Sequence, residues 1–200
     1  GFLGPNGAGK STTMKMLCGA LAPSSGRVLI DGHDLFTAPL EAKRKLGYLP
    51  EHPPLYLDLT VDEYLHYCGR IRGLRNATKR SRAVREAKER CGLRCDGRRL
   101  LGALSKGFRQ RAGIAQAILH RPAVVVLDEP TAGLDPIQIR EIRTLIDELR
   151  SEHSVLLSTH ILPEVTSVCD RVQILHEGRL VLDSRLDQIA GDTASLYLEL

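Results

Sequence analysis

Two apolar patterns alternate along the chain. The continuous runs "AVVVLD" (123–128) and "SVLLSTH" (154–160) have the length and branched content of strands buried on both faces of a parallel sheet. "RVLIDG" after the turn "PSSG", and "KLGYLP" before the proline-interrupted loop "EHPPLYLDL", read as shorter strands. "DRVQILHEGRLVLDS" reads as two strands about a glycine turn, and "ILPEVTSVC" as a short helix. In "PIQIREIRTLIDELRS" the spacing changes to helical: Pro136 suits a first turn, and Ile142, Leu145, Ile146 and Leu149 share one face. Thr60-Val61-Asp62-Glu63 is a capping box, so a helix is expected from Thr60 to about Arg72, and a highly basic one over Lys79 to Cys91. "LSKGFRQR" (104–111) reads as another helix opening, and the chain's first residues, "GFLGPNGAGKSTTMKMLCGAL", as strand end, glycine loop and helix. No internal repeat is visible.

The expected architecture is α/β: a core of mainly parallel sheet, residues 1–58 and about 112–200, interrupted by a helical subdomain near 59–111. Two hundred residues suffice for one buried core without staples. No apolar run approaches the roughly 20 residues that cross a bilayer. Five scattered cysteines, of which only Cys91 and Cys95 are close, fit reduced thiols of a cytosolic protein better than half a metal site. Charge changes the picture more. Residues 70–111 carry 15 Lys and Arg against 3 Asp and Glu, whereas the remainder carries 13 against 21. So basic a lobe suits anionic headgroups or nucleic acid equally.

"GPNGAGKS", Gly4 to Ser11, fits the phosphate-loop pattern G-x-x-x-x-G-K-[ST]. Glycines at these places let successive N–H groups of Gly4, Pro5's neighbours Asn6 and Gly7, Ala8 and Gly9 turn inward onto phosphate oxygens, and the following helix adds its dipole. Lys10 reaches the β- and γ-phosphates, Ser11 offers its hydroxyl to Mg²⁺, and Thr12 follows on the same first turn. In "VVVLDEP", Asp128 at a strand end is the expected Mg²⁺ partner, and Glu129 the group that orients or deprotonates an attacking water. His160, after a second buried strand, lies at the edge where open parallel sheets keep their ligands. "LSKGFRQR" is an oddity beside these: a serine and a glycine at a helix start form a second anion site.

Taken in order, "GPNGAGKST", "LSKGFRQR", "VVVLDEPTAGLDP" and "STH" resemble the ATP-binding cassette ATPases over essentially the whole chain. The resemblance implies a P-loop NTPase core, ATP and Mg²⁺ as ligands, and a head-to-tail dimer with a second cassette, identical or not. It also accounts for the second anion site. Ser105 and Gly107 correspond to the signature motif, which would contact the γ-phosphate held by the partner, and Ala132 to Asp135 to the loop crossing between the sites. Glu51 stands where the family usually has a metal-binding glutamine, and Lys106 and Phe108 depart from the common L-S-G-G-Q signature. The aromatic that stacks on adenine normally precedes the phosphate loop, so the sequence is expected to be part of a longer chain lacking N-terminal strands.

Cassettes either drive membrane transporters or act in solution on ribosomes or nucleic acid. "YLPEHPPLYLDLTVDEYL" resembles the segment of ABC-2 exporter cassettes that receives a helix of the membrane subunit, and Pro53, Pro54, Leu55, Tyr56 and Leu57 are poorly explained as a solvent loop. The expected function is therefore ATP hydrolysis that powers a membrane transporter, an exporter, at the cytoplasmic face of the cell membrane and peripheral through a permease. A soluble ATPase acting on ribosomes or nucleic acid is the alternative, and nucleic acid is the disfavoured partner. Intact Glu129 and His160 count against a binding module without turnover.

Overall fold

A computed structural model describes residues 1–189; the end of the expected core, residues 190–200, lies outside the described residues. In chain order the elements are β1 (Phe2–Leu3), α1 (Lys10–Leu17), β2 (Leu29–Ile30), β3 (His33–Asp34), α2 (Pro39–Arg44), β4 (Leu46–Leu49), α3 (Val61–Ile71) and α4 (Ala77–Arg90). They continue with α5 (Lys106–Ile118), β5 (Val124–Asp128), α6 (Pro136–Leu149), β6 (Ser154–Thr159), α7 (Leu162–Val168), β7 (Arg171–His176), β8 (Arg179–Arg185) and α8 (Leu186–Ile189). Six strands form one sheet in the order β4-β5-β6-β1-β7-β8, parallel throughout except for β7 and β8. That hairpin turns at Glu177 and Gly178, both with positive φ.

The run "VVVL" (124–127) is apolar at every position because β5 is covered on both faces. Val125 and Leu127 join one cluster with Leu65, Ile114, Ile142 and Leu149, whereas Val126 points to the other with Phe2, Met14 and Leu46. "RVLIDG" is a strand only at Leu29–Ile30, and it pairs with β3 in a separate two-stranded sheet rather than with the main one. Helix α2 begins with Pro39 and went unread in the sequence because six residues show too little periodicity.

The capping box of α3 forms as expected. Glu63 N donates to Thr60 Oγ1 at 3.3 Å and Thr60 N to Glu63 Oε2 at 2.8 Å, a device of about 1 kcal/mol. Helix α4 starts two residues ahead of the expected Lys79, because Asn76 Oδ1 accepts from Lys79 N at 2.9 Å and so caps a turn that begins at Ala77. Helix α5 runs unbroken past position 111 from the lobe into the core. Val61, Leu65, Val84 and Leu93 of the lobe share one continuous apolar cluster with Val125 and Ile142 of the core. Gly47 permits the approach of β4 to α5: a Cβ there would lie 2.2 Å from the Ala117 carbonyl oxygen.

Part of the lobe's positive charge is committed to internal pairs. Lys88 meets Asp62 at 2.5 Å, Arg111 meets Glu141 of α6 at 2.6 Å, and Arg90 pairs with Glu152. Arg70, Arg75, Lys79 and Arg85 are exposed and make no ion pair among the described residues.

Candidate active site

Strands β1, β5 and β6 lie side by side at the centre of the sheet, and the turns that leave their carboxyl ends meet in an open cleft of about 350 Å³. Asn6, Gly7, Gly9, Lys10, Ser11, Thr12, Glu51, Glu129, Ala132 and His160 line it. This is the crevice where an open parallel sheet binds ligands.

Gly7 (φ 81°) and Gly9 (φ 99°) take backbone angles that favour glycine, and Gly9 is the N-cap of α1. Gly4, Pro5 and Ala8 support the loop from below rather than lining the cleft. A Cβ on Gly4 would lie 2.4 Å from the Leu175 carbonyl oxygen, and Ala8 O accepts from Gly178 N at 2.9 Å. Lys10 is buried at the loop's centre, donating to Gly4 O at 2.7 Å and Pro5 O at 3.2 Å, with its Nζ 3.5 Å from Glu129 Oε1.

Asp128 is 1% exposed. Ser11 Oγ donates to its Oδ1 at 3.3 Å, and Ser158 Oγ donates to the same oxygen from β6. Ser158 is therefore a site residue that sequence reasoning missed; the only signal was a hydroxyl at the end of an apolar strand. It also accepts from Glu129 N at 3.2 Å, and Ser158 O does so at 3.1 Å. These two bonds hold Glu129 at φ 47°, a left-handed backbone that costs a non-glycine residue on the order of 1 kcal/mol. Glu129 Oε2 then meets His160 Nδ1 at 3.0 Å. The negative Asp128 is felt beneath the sheet: burial first, and this carboxylate second, push the Cys18 thiol up to about 12. The same two causes, in the same order, raise the Tyr48 hydroxyl.

A second missed residue lies behind the cleft. Glu164 of α7, 1% exposed, accepts from Thr131 Oγ1 at 2.6 Å and from Thr159 Oγ1 at 2.7 Å. Its carboxylate sits in a helix too short for periodicity to show which face is buried.

The residues expected to face a second cassette, two from the signature motif and one from the crossing loop, lie elsewhere. Ser105 caps α5, accepting from Phe108 N at 3.4 Å, and buried Gly107 packs under Gln138. Asp135 caps α6, accepting from Ile137 N at 3.0 Å and Gln138 N at 2.9 Å. None of the three lines the cleft of its own chain. Ser11, Asp128 and exposed Glu51 offer hard oxygen donors, too few to cage an ion but suited to a magnesium that keeps water and phosphate ligands.

The family profile described as "ABC transporter" matches residues 1–132. The bacitracin transport ATP-binding protein BcrA of Bacillus licheniformis is 42% identical over 94% of this chain and 61% of its own length. The ABC transporter ATP-binding protein NatA of Bacillus subtilis is 37% identical over 94% of this chain and 77% of its own. The chain spans about three fifths of BcrA and of the ATP-binding protein YxlF of Bacillus subtilis, at 61% and 62%. Among solved structures, cbiO1 of Clostridium perfringens, part of the transporter complex cbiONQ, superposes with a TM-score of 0.84 at 30% identity. That match covers 96% of this chain and 78% of cbiO1. With a phosphate loop, a buried strand-end aspartate and a Glu–His pair closing one cleft, and with these relatives across nearly its whole length, the chain belongs to the ABC transporter family, among its ATP-binding proteins.

Proposed function

We propose that this chain is the ATP-hydrolysing subunit of a membrane transporter, working as an exporter at the cytoplasmic face of the cell membrane. The observation that carries the reading is the Glu129 carboxylate, which bridges Lys10 at 3.5 Å and His160 at 3.0 Å across the mouth of the phosphate loop. Three segments far apart in sequence thereby supply an anion cradle with its lysine, a carboxylate base and an imidazole in one place.

The residues divide the work as follows. The loop from Gly4 to Gly9 and the start of α1, with Thr12 on its first turn, bind the phosphates through backbone N–H groups. Lys10, released from the Gly4 and Pro5 carbonyls, neutralises the β- and γ-oxygens. Ser11, Asp128 and Glu51 are the residues that would hold Mg²⁺, which when bound supplies charge neutralisation to the phosphate oxygens. Glu129 accepts a proton from water as that water's oxygen bonds to the γ-phosphorus; the bond to the bridging oxygen breaks, and ADP leaves with its electron pair. His160 orients the Glu129 carboxylate and donates to the γ-phosphate.

Ser105, Gly107 and Asp135 belong in this reading to the cleft of a second cassette, docked head to tail as a homodimer or heterodimer. Their position off their own cleft supports that arrangement. ATP then forms part of the interface, and hydrolysis favours its opening.

A permease is the favoured partner because of the surface that starts two residues after Glu51. Tyr56 (53% exposed) and Tyr67 (41%) meet edge to face at 5.3 Å, beside exposed Leu57 and Pro54. Exposed aromatics in such a group suit a helix of a membrane protein rather than nucleic acid phosphates. Affinity purification of the intact protein from detergent-solubilised membranes tests this. Stoichiometric recovery of a polytopic membrane protein is expected; ribosomal proteins or nucleic acid in its place would overturn the transporter reading.

A further inference from the structure

We infer that Glu164 is a positioning residue, which holds Glu129 and His160 in register by clamping the two loops that carry them. Thr131, whose hydroxyl donates to Oε1, follows Glu129 by two residues; Thr159, whose hydroxyl donates to Oε2, immediately precedes His160. One carboxylate therefore spans the end of β5 and the end of β6, on the far side from the cleft. The inference rests on the hydrolytic reading of Glu129 and His160 above.

The arrangement is too costly to be simple packing. A carboxylate that is 1% exposed has lost its hydration, and packing alone would be served as well by an apolar side chain. Two short hydroxyl bonds and the Arg143 guanidinium, 3.7 Å from Oε1, compensate it. What these contacts fix is backbone direction. Thr131 O accepts from Leu134 N at 3.2 Å, and Glu129 O accepts from Ala132 N at 3.1 Å, so the turn that aims Glu129 is closed at the threonine Glu164 holds. Thr159 Oγ1 also accepts from Ile161 N at 3.1 Å, which pins the chain on both sides of His160. Freed from the clamp, the loops can part, and a separation of about 1 Å is enough to break a hydrogen bond and to cost up to about a hundredfold in rate.

The test uses the full-length chain with its membrane partner. Thr131→Val and Thr159→Val keep shape and branching while deleting each donor; Thr131→Ser and Thr159→Ser keep the donors; Glu164→Gln removes the charge. Steady-state kcat and KM for ATP are measured, together with the Kd of a fluorescent ATP analogue. We expect the valine variants and Glu164→Gln to lose about ten- to a hundredfold in kcat with Kd within about twofold of wild type, and the serine variants to stay near wild type. Wild-type kcat in all variants, or equal losses in the valine and serine variants, would overturn the positioning role. A loss confined to Kd would do the same. A wild-type protein without ATPase activity would overturn the hydrolytic reading itself, and this role with it.

Discussion

His160 Nδ1 stands 3.0 Å from Glu129 Oε2 although 31 residues separate them in the chain. The parallel register of β5 and β6 creates the contact by pairing Asp128 with Ser158, so that the residues just beyond each strand leave the sheet side by side. Glu129 also touches Lys10 on its other oxygen, so a single carboxylate links the phosphate loop to the histidine of the cleft.

Glu129→Gln keeps the shape of that link and removes its basicity. Hydrolysis is expected to fall by about 10²- to 10⁴-fold while ATP stays bound, so that an ATP-bound dimer accumulates. Light scattering after size exclusion, with ATP present, measures the dimer. A variant that stays monomeric and turns over at the original rate would remove Glu129 from its assigned role.

Ser105→Arg tests the two-chain site. Ser105 does not line its own cleft, so the isolated chain should bind nucleotide at the phosphate loop as before, while turnover is abolished in the assembled protein. Nucleotide titration of the monomer checks the first half. Lost binding there would contradict a site shared between two chains.

Ser158→Ala removes the hydroxyl that donates to Asp128 and accepts from Glu129 N, leaving only the Ser158 carbonyl to hold the strained glutamate. A destabilisation of about 1–3 kcal/mol is expected from the exposed need of a buried carboxylate, together with a fall in kcat. Urea unfolding and steady-state kinetics on the same preparation measure both; an unchanged midpoint would show that Asp128 finds another donor.

His120 gives the stability a dependence on pH. Burial first, and Arg72 second, pull its imidazole from 6.5 down to about 4, while Nε2 lies 3.1 Å from Leu46 O. Between pH 6.5 and 4 the unfolded chain therefore binds a proton that the folded chain refuses. From this group stability is complete above pH 6.5, declines as pH falls through that window, and stops changing below it. His120→Leu should flatten urea midpoints measured between pH 7 and 4.5; a slope as steep as wild type would assign the acid sensitivity to other groups.

The features legible in the sequence are those whose chemistry is local. The phosphate loop needs only consecutive backbone groups freed by glycine, the α3 start needs Thr60 and Glu63 three residues apart, and the apolar face of α6 recurs at helical spacing. Asp128, Glu129 and His160 were readable because each follows an apolar run long enough to be a buried strand. The shortest elements were harder: α2, with six residues, and β3, with two, gave no readable pattern, and β2 is only two residues of the run read as a strand.

By itself, then, the sequence determined the class of fold, the phosphate loop and the acidic and basic groups that face it. The tertiary structure alone decided that Ser158 lies under Asp128, that Glu164 joins Thr131 to Thr159, and that Tyr56 meets Tyr67 edge to face instead of entering the core. A serine in a strand or a glutamate in a short helix has the same local pattern whether it meets water or a buried partner. Only the strand order β5-β6-β1, set by long-range pairing and burial, determines which of the two it meets.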